Sequence, residues 1–206
     1  MHHDQLLGAG ERLPGRSFTD PEHTRVDAGV MARMLARLRL EAASWPGRRT
    51  AVELITYARA GCRHWLVVPC PSALRTAREV TAVGFFGDLR PEADHAAIYQ
   101  LEAEVVERLS RYAPGGLLSY YDAELEPGMH GNLVLFATRE VPAAWHGDVV
   151  HARAVSLAPR HYRCLRLHRG IIGGPLLGSG DLVVERTRYF DFGQEPAWHG
   201  RRLLMP

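Results

Sequence analysis

The chain has 206 residues and a formal net charge of +2, with 46% hydrophobic and 23% charged residues. These values fit one globular domain, alone or with an extension, and exclude a disordered tail, a collagen-like fibre and a coiled coil. No apolar run approaches the roughly 20 residues of a membrane helix. Met1 to Gln5 leads into no apolar signal-peptide core, so the expectation is a cytoplasmic protein with no membrane partner.

All 25 basic residues are Arg. The lack of Lys excludes a lysine Schiff base, a lysine general base and the lysine of a phosphate-binding P-loop. The arginines form short clusters, of which Arg160, Arg163, Arg166 and Arg169 make the densest. A nucleic-acid face needs a broader basic surface, so no nucleic-acid partner is expected. Cys62, Cys70 and Cys164 form no CxxC pair and read as ordinary thiols.

Residues 1–26 read as an irregular leader. Asp27 is placed to cap a helix over about 30–43, with Met31, Met34, Leu35 and Leu38 on its apolar side. Ser44-Trp45-Pro46-Gly47 stops it. Ala51 to Tyr57 and His64 to Val68 read as a hairpin turning at Ala60-Gly61. Residues 72–79 are ambiguous.

Thr81 to Phe86 reads as a buried strand. Pro91 then opens an amphipathic helix carrying Ile98, Leu101, Val105, Leu109 and Tyr112, which Pro114-Gly115-Gly116 ends. Leu117 to Leu125 and Asn132 to Thr138 are strands, and a helix follows from about Pro142 to Leu157. Along His161 to His168, alternation puts Tyr162, Cys164, Arg166 and His168 on one face. Gly170 to Gly180 reads as a hairpin connection or a lid, because it lacks a nucleotide-binding GxGxxG pattern. Asp181 to Phe192 is the last strand, and the tail after it carries apolar residues suited to docking.

The order over 81–192 is strand, helix, strand, strand, helix, strand, strand. This predicts an α+β sandwich, with residues 1–80 as an N-terminal helix-plus-hairpin extension and 193–206 as a tail. Two helices cannot cover both faces of such a sheet. The uncovered face therefore needs the hairpin or a second subunit.

Trp145 stands six residues before His151 at the start of the second helix. A strand with Tyr162, Arg163 and Arg166 follows, and the closing strand holds Arg186-Thr187-Arg188-Tyr189. In these features the chain resembles the antibiotic-biosynthesis-monooxygenase-like family. The resemblance implies a ferredoxin-like fold, a homodimer forming a dimeric α+β barrel, and a pocket between sheet and helices for an aromatic or polyketide-like small molecule. It implies either cofactor-free oxygenase chemistry or haem held by the helix His, here His151, with Trp145 as a pocket wall. The Asn that haem-degrading members carry on the first strand is missing from Thr81 to Phe86, and Asn132 lies on the third strand instead.

The residues themselves leave alternatives open. His151 suits an iron ligand or a base, or a helix-face histidine paired with Asp148. Trp145 suits a ligand wall or core packing. Arg166 suits a clamp for an acidic group, with His168 and Tyr162 as proton-transfer groups, or all three belong to a solvated sheet edge. No zinc spacing is present, since His146 and His151 are five apart. The expected function is a small-molecule enzyme with catalytic residues His151, Arg166 and His168 and substrate contacts at Trp145, Tyr162, Arg166 and Asn132. A non-catalytic ligand-binding or scaffold protein on the same fold is the alternative. An enzyme would enclose His151 and Arg166 in one cavity, whereas a scaffold would fill that space with side chains.

Overall fold

The computed structural model describes residues 4–45, 53–59, 62–126 and 129–204. Its elements, in chain order, are β1 (Gln5–Leu7), α1 (Pro21–Ser44), β2 (Glu53–Arg59), β3 (Cys62–Val68), α2 (Pro71–Thr76), β4 (Val80–Leu89) and α3 (His95–Arg108). β5 (Leu117–Glu126), β6 (Met129–Phe136), α4 (Ala143–His146), α5 (Val149–His161), β7 (Tyr162–Ile172), β8 (Leu182–Asp191) and β9 (Trp198–Leu203) follow. The fold is mixed α and β. The nine strands among the described residues form one sheet in the order β1-β9-β8-β7-β4-β6-β5-β3-β2. β1 joins β9 in parallel, and the other described pairs are antiparallel.

The centre of the sheet, β7-β4-β6-β5, comes from a β-α-β-β-α-β run. β4 lies between β6 and β7, so Thr81 to Asp88 are paired on both sides. The first 80 residues supply β2 and β3 at one edge, β1 at the other, and helices α1 and α2. The tail supplies β9, which pairs with both β8 and β1. It docks on its own body by main-chain hydrogen bonds.

Alternation along the strands divides the apolar side chains between two cores. Met31, Met34, Leu35 and Leu38 of α1 pack on Ala82, Phe86, Leu133, Leu135 and Tyr121. On the opposite face Val67, Tyr120, Val134 and Phe136 pack with Leu109 and Trp145. On the α1 side Gly84 leaves room for Met31, since a Cβ on it would stand 2.5 Å from Met31 Sδ and would displace that side chain. The sheet face expected to need the hairpin or a second subunit is therefore covered by α1. The hairpin β2–β3 widens the sheet instead of covering it, while its Ala60-Gly61 turn lies outside the described residues.

Other local expectations change as well. α1 starts at Pro21, with Asp20 as its cap accepting from the Glu22 N–H at 2.9 Å. Asp27 is thus an interior residue, not the cap. Asp20-Pro21 is the stronger start signal, with a capping carboxylate before a proline that has no N–H to satisfy. α3 starts at His95, where Asp94 caps the Ala97 N–H, and Pro91 lies in the turn before it.

The helix read as continuous over 142–157 is two helices. Asp148 caps the second, accepting from the N–H groups of Val150 at 2.8 Å and His151 at 3.1 Å. The connection after β7 is no lid. Leu176 is fully buried in the α1-side core, its N–H donates to Ala77 O, and Arg39 of α1 donates to Leu176 O and Gly180 O.

Candidate functional site

Among the described residues two polar clusters are buried, one on each face of the sheet. The first lies between the sheet and α3, α4 and α5. Trp145 is 7% exposed, and the rings of Tyr112, Phe136, Tyr120 and His151 surround it at 5.4, 5.8, 6.4 and 5.0 Å. Its neighbours are the core packing that a tryptophan at a helix start ordinarily supplies.

His151 is half-buried beside it. The Asp148 carboxylate meets the His151 backbone N–H and not its ring. It also takes the Arg108 guanidinium, with Nε at 2.9 Å and Nη2 at 2.8 Å. The ring Nδ1 of His151 is buried and has no hydrogen-bond partner among the described residues. Burial and the neighbouring His146 hold the imidazole below its ordinary pKa, against the opposite pull of Asp148. The ring is therefore neutral at pH 7. The break between α4 and α5 brings the His146 ring to 6.1 Å from it, although a single helix would have turned the two apart.

Asn132 and Tyr162 lie on this same face. Asn132 is paired across strands with Phe85 and Asp122, and it hydrogen-bonds Tyr120. Tyr162 stacks edge-on against Phe85 at 5.2 Å. Tyr162 does not share a face with Arg166 and His168, because a β-bulge intervenes. Asp88 pairs with Cys164 but Leu89 pairs with Tyr162, so Arg163 is the extra residue and parity flips beyond it. Burial, then the charges of Asp122 and Glu102, push both the Tyr120 and Tyr162 phenols upward, so both stay protonated. The sequence reading gave Asp122 no role, placed Glu102 on the polar side of the helix, and left open which of Tyr120 and Tyr121 faces a pocket. For Tyr120 and Asp122 the signal is parity along β5, and the bulge between Leu117 and Ser119 obscures it.

The second cluster lies beneath α1. Arg166 donates to Asp27 through Nε at 2.5 Å and Nη2 at 3.0 Å. His168 Nε2 is 2.8 Å from the same carboxylate, and its Nδ1 is 2.9 Å from the Thr187 hydroxyl. A carboxylate only accepts, so Nε2 carries the proton and Nδ1 accepts from Thr187, which describes a neutral ring. All four residues are buried. Beside them Thr24 meets the Tyr189 hydroxyl at 3.2 Å. The fully buried Arg202 donates to that hydroxyl, to Gly8 O at 3.0 Å, to Thr19 O at 2.9 Å and to Glu11 O.

Arg166 and His168 thus stand on the opposite face of the sheet from His151, Trp145, Asn132 and Tyr162, and no single cavity contains both groups. The anion that Arg166 clamps is Asp27. The sequence signal for this was present. Asp27 sits four residues before Met31 on the apolar stripe of α1, where a carboxylate requires a buried cation.

Two open depressions, about 460 and 450 Å³ in volume, lie at Gln194–His199 and at Arg12–Ser17, away from both clusters. Among the described residues no group of three His, Cys, Asp or Glu is placed to hold a metal ion. No helix among them is long and apolar enough to cross a membrane. Cys164 is buried, and burial pushes its thiol up to about 11, so it is a poor nucleophile.

No protein-family model, curated protein or solved structure matches the chain.

Proposed function

We propose that the chain is a cytoplasmic small-molecule enzyme on a ferredoxin-like core, of the monooxygenase-like barrel kind, whose proton acceptor is His151. The observation that supports this reading is the buried, unpartnered Nδ1 of His151, 5.0 Å from the Trp145 ring centroid to its own. A neutral imidazole with a free ring nitrogen is costly to bury, and such a nitrogen is what proton abstraction near pH 7 needs. The proposed substrate is aromatic or polyketide-like. Its acidic O–H or C–H proton passes to the imidazole, leaving an imidazolium and a delocalised substrate anion against Trp145. Tyr120, Tyr162 and Asn132 line the same layer and offer neutral hydrogen bonds to a carbonyl or phenol.

Haem fits these residues poorly. A haem-sized macrocycle needs an open slot beside His151, and the flank of that ring is taken by Trp145, itself enclosed by three further rings. No step through haem is derived.

A second reading, a non-catalytic scaffold, draws on that same dense packing. One experiment separates the two. In a histidine-detected NMR titration with 2-naphthol, the enzyme reading expects shifts at His151 and at the Trp145 indole, lost in His151→Ala. Unmoved resonances at millimolar ligand would favour the scaffold. The homodimer belongs to the same proposal, and sedimentation velocity measures it. With α1 over one central face and α3 to α5 over the other, a dimer would form through some other surface.

A further inference from the structure

Among the described residues, one stretch of the sheet carries exposed side chains at Ile171, Val183, Arg186, Arg201 and Leu203. It lies over β7, β8 and β9, on the side opposite α1. Parity along β8 and β9 turns Thr187, Tyr189 and Arg202 toward α1, so Arg186, Arg188, Phe190, His199, Arg201 and Leu203 turn outward. Val183 is 47% and Leu203 49% exposed.

The cations on this face are set directly against one another. Arg169 of β7 pairs across strands with Arg186 of β8, and Arg188 of β8 pairs with Arg201 of β9. Like charges directly opposite on a sheet destabilise it. Asp4 holds Arg188 at 3.1 Å and Glu140 holds Arg169 at 2.9 Å. Arg186 and Arg201 are exposed and make no ion pair among the described residues. Between and beside the arginines stand aromatic rings. The Arg188 guanidinium lies over Phe190 at 5.1 Å, Phe190 meets His199 at 5.0 Å, and Phe192 stacks on Phe190 at 6.3 Å.

We propose that this open face binds single-stranded nucleic acid, with Arg186, Arg188 and Arg201 on phosphates and Phe190 and His199 under bases. Arginine for the backbone and aromatic rings for the bases are the two components of such sites, and here Phe190 and His199 are each partly exposed. An anionic partner relieves both Arg–Arg pairs. A second copy docked face to face would instead press arginine on arginine, which disfavours a homodimer here. The four cations come from three strands and are gathered only by pairing. The expectation of no nucleic-acid partner rested on clusters contiguous in sequence, which include Arg169 and Arg201 but not their cross-strand pairing with Arg186 and Arg188.

The test is fluorescence anisotropy of labelled oligo-uridine and oligo-thymidine, each about 20 nucleotides, with the full chain. Binding is expected to fall with salt, with a log–log slope of about −2.1 for three phosphates at about 0.7 each. Arg186→Glu with Arg201→Glu is expected to weaken it about tenfold or more. Both side chains are exposed, so an unchanged melting temperature confirms the variant's fold. Phe190→Leu, which keeps an apolar filler, is expected to weaken binding about fivefold or more. No anisotropy change at about 100 μM protein in low salt, the weak end of the ordinary range of non-specific affinities at physiological salt, would overturn the proposal. So would an affinity unmoved by the charge reversal. Equal competition by polyglutamate would also overturn it, since the face would then be a site for an acidic protein.

Discussion

Arg166 and Asp27, 139 residues apart in the chain, form a two-point ion pair between α1 and the sheet, with both side chains under 7% exposed. Asp27 also receives the His168 Nε2 proton. Burial alone would raise the carboxyl. The His168 and Arg166 hydrogen bonds and charges outweigh it and hold Asp27 below its ordinary value. The carboxylate is therefore ionised at pH 7 and fixes the N-terminal half of α1 over β7 and β8.

Removing one side of that pair is expected to be severe. Asp27→Ala leaves Arg166 buried without a counter-charge and should cost about 3–5 kcal/mol in urea denaturation. Asp27→Leu combined with Arg166→Met should recover part of that loss. A double variant as unstable as the sum of the two singles would show that the residues are not coupled.

Acid is expected to loosen the same contact. Burial, joined by the Arg166 charge, depresses His168 against the pull of Asp27, and burial with His146 depresses His151. A histidine with a folded pKa below its unfolded 6.5 stabilises fully above that value and loses the contribution as pH falls through the folded pKa. Asp27, lowered from 3.8, acts in the same direction at lower pH. The melting temperature should be flat above about pH 7 and fall below about pH 6.5. His168→Gln should start lower at neutral pH and fall less steeply. A variant slope equal to that of the wild type would remove His168 from this account.

Trp145 and His151 should separate stability from ligand binding. Trp145→Ala empties a core position and is expected to cost about 3–5 kcal/mol. His151→Ala removes a buried ring nitrogen with no partner, so it should leave stability within about 1 kcal/mol of the wild type. It should still abolish the naphthol-induced shifts. Paired chemical denaturation of the two variants checks the contrast.

Gly170 sits where β8 passes too close for any side chain. A Cβ there would stand 2.3 Å from Val183 O, which is main chain and cannot swing aside. Gly170→Ala is expected to cost about 1–3 kcal/mol. Gly173→Ala, with nothing within 4 Å of its Cβ, should be neutral or slightly stabilising. Thermal unfolding of the pair measures the difference.

The candidate site was partly legible in advance. Trp145 and His151 entered through a resemblance in their spacing, and the tertiary structure sets Asn132 and Tyr162 in the same layer. Arg166 and His168 were grouped with them because strict alternation along β7 carried Tyr162 to their face. One bulged residue, Arg163, reverses that parity, and nothing in the local sequence marks it. The open basic face was illegible for another reason. Its arginines become neighbours only through strand pairing.

Local physics settled the elements whose signals are short-range. Val, Leu and Phe alternation placed β4 through β8, and the stripe of Met31, Met34, Leu35 and Leu38 placed the helix that covers the sheet. These depend on neighbours two to four residues away, which the chain displays directly. Tertiary structure alone decided which face each element covers. α1 took the face that had seemed to need a partner, and there Asp27 meets the Arg166 cation and the neutral His168 of β7, more than a hundred residues away. The carboxylate on the apolar stripe was visible from the start. Its partner was not, because a buried charge pair is a contact in space that leaves no fixed spacing along the chain.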